Sequence, residues 1–198
     1  MELKIINCSF EFRDDSHYGG GGATIPFLNK LCEAHIVVIA AMNKGQVVHH
    51  TIRKALEDHE AVRKHLFIVS NVMPDGKSLN PKSNFFGEWV RDENVRSHNR
   101  ILSKAGIAAP GTEIISTIPQ NGPKSFGVKT GTSMAAPLVS GLLARLMSDF
   151  PEATITEIAQ LVREGANREG CLGDEWKFGM GLIDVDRTYE LAHEKFHK

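Results

Sequence analysis

His35-Ile36-Val37-Val38-Ile39-Ala40-Ala41 is apolar at every position after the first and rich in β-branched side chains. A strand with one wet face alternates polar and apolar residues. A run without alternation fits a strand covered on both faces, as in parallel sheets with a helix layer on each side. His65 to Val72 (HLFIVSNV) has the same character and stops at Met73-Pro74-Asp75-Gly76, a turn signal. Upstream, Leu3 to Ser9 (LKIINCS) reads as another buried strand and Ile25 to Ala34 (IPFLNKLCEA) as a helix. Val47 to Lys64, between the two central strands, is polar and helix-like. Downstream, Gly76 to Gly111 reads as loop-rich, and Glu113 to Ile118 as a short strand. Three closing helices are expected over Ser133 to Phe150, Thr154 to Glu164 and Asp184 to His193. This alternation predicts an α/β fold with a largely parallel sheet flanked by helices, in one domain over residues 1–198.

Composition narrows the function classes. Of the residues, 41% are hydrophobic and 24% charged, an ordinary globular balance. A formal net charge of −1 gives no field to gather nucleic acid or anionic lipid, so neither is an expected partner. No apolar run approaches the ~18 residues that a membrane span needs. The Met-Glu-Leu-Lys-Ile-Ile-Asn start lacks the pattern of a secretory signal. Cys8, Cys32 and Cys171 are an odd set without metal-like spacing and read as structural thiols of a reducing compartment, which favours a cytoplasmic location. Gly19 to Gly22 reads as a flexible loop, since it neither follows a strand directly nor has the spacing of a phosphate cradle.

Lys129 to Gly141, KTGTSMAAPLVSG, carries the chemistry. Gly131 permits a tight turn before a helix. Thr132-Ser133 then puts a hydroxyl in the first turn, where amide donors are free and the helix dipole favours developing negative charge. Ala135 and Ala136 allow close approach of neighbours, and Pro137 is expected where the first turn needs no donor. Leu138, Val139, Leu142, Leu143, Leu146 and Met147 cover most of the circumference and predict a buried helix. By residue type alone, Ser133 could be a plain N-cap.

The string Gly131-Thr132-Ser133-Met134-Ala135-Ala136-Pro137, with Val139 and Gly141 after it, closely resembles the nucleophile motif of the subtilases, the subtilisin-like serine proteases. Other segments agree in order. Ile36 to Gly45 (IVVIAAMNKG) resembles the family's strand and loop that present an asparagine to the oxyanion. Ala108-Ala109-Pro110-Gly111 and Glu113 to Pro119 resemble the turn and strand leading to the serine. Phe178 to Val185 (FGMGLIDV) resembles the glycine-flanked approach to the last helix. The resemblance implies Ser133 as nucleophile and Asn43 as oxyanion donor. It also implies a substrate cleft walled by Ser9 and Phe10 and, at Ala41 and Met42, a primary specificity pocket. A peptide or protein is the implied substrate, and such proteolysis needs no cofactor; no residue is assigned to a metal, and a calcium site is not readable from these residues. Where the family usually has glycine before its oxyanion asparagine, this chain has Met42.

Subtilases order their triad as aspartate, histidine, serine. No aspartate–threonine/serine–glycine strand end and no His-Gly-Thr-His helix start occur in the sequence, so the N-terminal part of a family domain is missing from the expectation. Its histidines (His17, His35, His49, His50, His59, His65, His98, His193 and His197) read as surface or strand-end residues rather than a substitute base. Two functions remain. In the first, a serine endopeptidase takes its aspartate and histidine from a missing segment or partner chain, or self-associates, and is inert alone. The alternative is a catalytically inactive subtilase-fold scaffold. Retention of both Ser133 and Asn43 favours the first.

Overall fold

The computed structural model describes residues 4–9, 23–48, 50–87, 93–119 and 125–196. Four strands form one parallel sheet in the order β1 (Ile5–Cys8), β2 (Ile36–Ala40), β3 (Leu66–Val72) and β4 (Gly106–Pro110). The register is continuous, with Ile5 opposite Ile36, Val37 opposite Leu66 and Ile68 opposite Gly106. Both predicted central strands are buried along their whole length.

Two helix layers explain why those strands do not alternate. Ile36, Val38, Phe67 and Val69 face the layer of α5 (Thr132–Asp149), α6 (Ile155–Gly165) and α8 (Val185–Phe196). Val37, Ile39, Leu66 and Ile68 face α1 (Thr24–Ala34), α2 (His50–Asp58), α3 (Glu60–His65) and α4 (Glu93–Ala105). Each fully buried aliphatic side chain contributes roughly 1.5–3 kcal/mol, so the sheet core is the main source of stability.

Three expectations change. The stretch Gly76–Gly111, read as loop-rich, holds α4 and β4. Helix α4 is strongly polar, which hid its period, and β4 (GIAAP) is too short and alanine-rich to stand out as a strand. The strand expected at Glu113–Ile118 is β5 (Ile114–Thr117), outside the main sheet and antiparallel to an unexpected β6 (Phe126–Lys129). The polar segment Val47–Lys64 is two helices with a break at His59.

The two edges of the sheet differ. Along β4, Met180 N–H donates to Gly106 O at 2.8 Å, Ala108 N–H to Gly181 O at 2.8 Å and Ile183 N–H to Ala108 O at 2.9 Å. A side chain on Gly179 would collide with the Gly106 backbone, so this approach demands glycine there. Among the described residues no strand pairs with the outer edge of β1. Helix α5 is also one-sided rather than buried all round. Val139, Leu142, Leu143 and Leu146 are buried, whereas Pro137, Gly141 and Ala144 are exposed and Leu138 is 41% exposed.

Candidate active site

The site gathers where β1, β2 and the start of α5 meet. Gly131 leads into α5, its N–H donating to Gly111 O at 2.8 Å. A β-carbon on Gly131 would sit 3.1 Å from Asn43 Nδ2, so glycine lets the carboxamide lie against the backbone there. Thr132 is fully buried and clamps the preceding loop twice. Its N–H donates to Asn43 Oδ1 at 3.0 Å, and its Oγ1 accepts the Met42 N–H at 3.1 Å.

First-turn donors are thereby divided. Thr132 N–H goes to Asn43, while Met134 and Ala135 N–H both go to Gly131 O, at 2.9 and 3.3 Å. The Ser133 N–H has no partner among the described residues. With Asn43 Oδ1 occupied, the Nδ2 group of this exposed side chain remains as a donor beside it.

Pro137 has a different reason from the one expected. It is the sixth residue of α5, past the first turn, and its missing N–H would have bonded to Ser133 O. Ser9 Oγ supplies the replacement, donating to the Ser133 carbonyl at 3.3 Å, while Ser133 Oγ donates to Ser9 O at 3.4 Å. Asn7 completes the seam. Its Nδ2 donates to Ser9 Oγ at 3.2 Å and its Oδ1 accepts from Ser140 Oγ at 3.0 Å. The end of β1 is thus fastened to α5 beside the serine.

Of the sequence-derived site residues, Ser9, Met42, Asn43 and Ser133 lie together through these bonds, Ala41 precedes Met42 just past the end of β2, and Phe10 lies outside the described residues. Ala41 is buried, its N–H donating to Val69 O at 2.9 Å. Met42 is half-buried with φ at +81°, a conformation that favours glycine.

Three of the described histidine side chains are engaged elsewhere, and His59 sits at the N-cap of α3 without a side-chain capping bond. His35 Nδ1 lies 3.0 Å from Leu31 O, and His193 stacks edge-on to Phe150 at 5.2 Å. His65 is buried, its Nδ1 at 2.6 Å from Cys32 O and its Nε2 at 2.8 Å from Thr156 Oγ1. Since a carbonyl only accepts, Nδ1 carries the proton and Thr156 donates to Nε2. Burial holds the His65 pKa below its usual value, and Arg163 and Lys64 oppose protonation further. His17, His49 and His197, and the side chains of His50 and His98, lie outside the described residues.

A family model for the subtilases matches residues 2–181. The chain belongs to the subtilase family. Among curated subtilases it is 34% identical over 182 residues to the extracellular basic protease of Dichelobacter nodosus, covering 85% of this chain and 26% of that protein. It is 28% identical over 190 residues to subtilisin-like protease SBT3.16 of Arabidopsis thaliana, covering 81% of this chain and 24% of the relative. This subtilase chain therefore spans about a quarter of the length of these relatives. Among solved structures, a mutant protease domain of PatA superposes with a TM-score of 0.68 at 20% identity, covering 96% of this chain and 60% of that one. The PatG macrocyclase in complex with peptide gives 0.63 at 21%, covering 96% and 51%. The fold is that of subtilisin-like proteases.

Two positioning groups of this subtilase were not visible in its sequence. Thr132 reads as part of a motif, yet its two bonds fix the Met42–Asn43 loop. Asn84 is buried under the same loop: its Oδ1 accepts the Lys44 N–H at 2.8 Å, and its N–H donates to Met42 O at 2.8 Å. Asn84 is connected to the site only through these bonds to Met42 and Lys44, the neighbours of Asn43, and nothing in the sequence spacing marks it.

Proposed function

We propose that this chain supplies the nucleophile and the oxyanion donors of a serine endopeptidase, with aspartate and histidine provided by another segment or chain. The observation that carries this reading is the fastening of Asn43 to the first turn of α5, through Thr132 N–H, beside the Ser133 hydroxyl. Attack by Ser133 Oγ on a peptide carbonyl would place the developing oxyanion between two donors, Ser133 N–H and Asn43 Nδ2. Such donors act on charge that appears only in the transition state. Ser133 Oγ is held by a long bond to Ser9 O and needs a base to take its proton. A histidine oriented by an aspartate fills that role.

The complementing segment would cover the outer edge of β1 and the exposed face of α5, where the small residues Gly141 and Ala144 permit close packing. The implied substrate is a peptide or protein. To test the reading, a subtilase segment bearing the aspartate and histidine motifs is added to the purified chain and mixed peptides are assayed. Turnover that requires both components and is lost in Ser133→Ala supports it. A folded, stoichiometric complex without turnover would favour the scaffold alternative.

A further inference from the structure

A cavity of about 750 Å³ opens between the turn after β3 and the short helix α7 (Glu175–Phe178), with none of Ser9, Met42, Asn43 or Ser133 in its lining. Leu79, Phe85, Trp176 and Phe178 form apolar walls. A volume of this size suits a small molecule with a ring system, and the half-buried Trp176 and Phe85 offer faces to stack on.

The charged groups are not balanced. Asp174 is used twice: its Oδ1 accepts the Trp176 N–H at 3.1 Å, and its Oδ2 lies 3.4 Å from Lys177 Nζ. Lys77, also in the lining, makes no ion pair among the described residues, although the Asp75 carboxylate accepts its backbone N–H at 2.8 Å and lies close enough to feel its charge. Among its described lining residues the cavity therefore combines aromatic walls with two lysines, Lys77 and Lys177, against one aspartate, Asp174.

We propose that this cavity binds an aromatic carboxylate, with its ring against Trp176 and Phe85 and its carboxylate at Lys77. The wall residues Asn80 and Ser83 lead directly into Asn84, whose Oδ1 holds the Lys44 N–H at 2.8 Å, and Gly45 N–H donates to Lys82 O at 2.8 Å. A bound ligand is thus placed to stiffen the loop that carries Asn43. Binding itself is independent of any role for Ser133.

The probe is N-acetyl-L-phenylalanine, compared with its uncharged amide, on the full 198-residue chain carrying Trp89→Phe so that Trp176 alone reports. Two readouts apply: Trp176 emission, and the alkylation rate of Cys171, which is exposed at the cavity while Cys8 and Cys32 are buried. The acid is expected to shift emission saturably and to slow alkylation, binding about fivefold more tightly than the amide, the scale of a rim-exposed charge pair. Lys77→Met should abolish that preference and Lys77→Arg should keep it. No saturable response to the acid would overturn the proposal, as would equal binding of acid and amide or a preference that survives Lys77→Met.

Discussion

The Thr132 N–H donates to Asn43 Oδ1 at 3.0 Å, joining positions 89 residues apart. One bond decides which end of the carboxamide is free. Occupying the oxygen leaves Nδ2, the donor end, beside Gly131 and without a partner among the described residues, so under the proposed function an oxyanion would meet a fixed N–H without reorganisation.

Asn43→Ala, in the chain completed by an aspartate- and histidine-bearing segment, should lower kcat by about 10²–10³ with KM little changed, the magnitude known for loss of one such donor in subtilisin. Steady-state kinetics on a peptide substrate check this. A kcat within a factor of two of the parent would remove Asn43 from the oxyanion role.

Met42 has two reasons to be replaced by glycine. Its φ of +81° is costly for a residue with a β-carbon, by roughly 1–3 kcal/mol, partly offset by glycine's greater entropy loss on folding. Met42→Gly should therefore raise stability by about 1 kcal/mol in chemical denaturation. In the completed enzyme the same change should shift cleavage toward large apolar residues before the scissile bond. Each extra buried methylene contributes about 0.8 kcal/mol, so the shift should be graded. A peptide-library profile unchanged by Met42→Gly would show that Met42 does not line the pocket.

Much of this was legible in the sequence. HIVVIAA and HLFIVSNV gave their strands because full burial on both faces leaves an unbroken apolar run, which the side chains of Val37 and Val38 show by entering opposite cores. Strand β4 was not legible: its glycine and alanines carry little strand preference, and its place beside β3 follows from long-range pairing. At the site, Ser133 and Asn43 were marked by local strings. Thr132 and Asn84 act through bonds to distant backbone groups, which no local pattern encodes.

His65 makes stability depend on pH. Its folded pKa lies below the ordinary histidine value of about 6.5, so the folded state binds fewer protons than the unfolded one just below that value. The contribution is complete above about pH 6.5 and falls as pH decreases from there through the folded pKa. Thermal unfolding of the parent and of His65→Gln, at pH 7.5 and 5.5, should show a stability difference that shrinks on acidification. A difference independent of pH would contradict the assignment.

Without a partner, the outer edge of β1, which pairs with no strand among the described residues, and the exposed α5 face are liabilities. Sedimentation of the isolated chain should show self-association that rises with concentration and is suppressed by the complementing segment. A monomer unchanged at high concentration would mean that these surfaces need no cover.

The most direct test of the account is covalent labelling of Ser133. The chain, alone and with the complementing segment, is incubated with a fluorophosphonate, which phosphonylates activated serines with loss of fluoride, and the adduct is located by peptide mass spectrometry. The account predicts stoichiometric labelling of Ser133 in the completed protein, none above background in the chain alone, and none in Ser133→Ala. A completed, folded complex that hydrolyses peptides while Ser133 stays unmodified would contradict it.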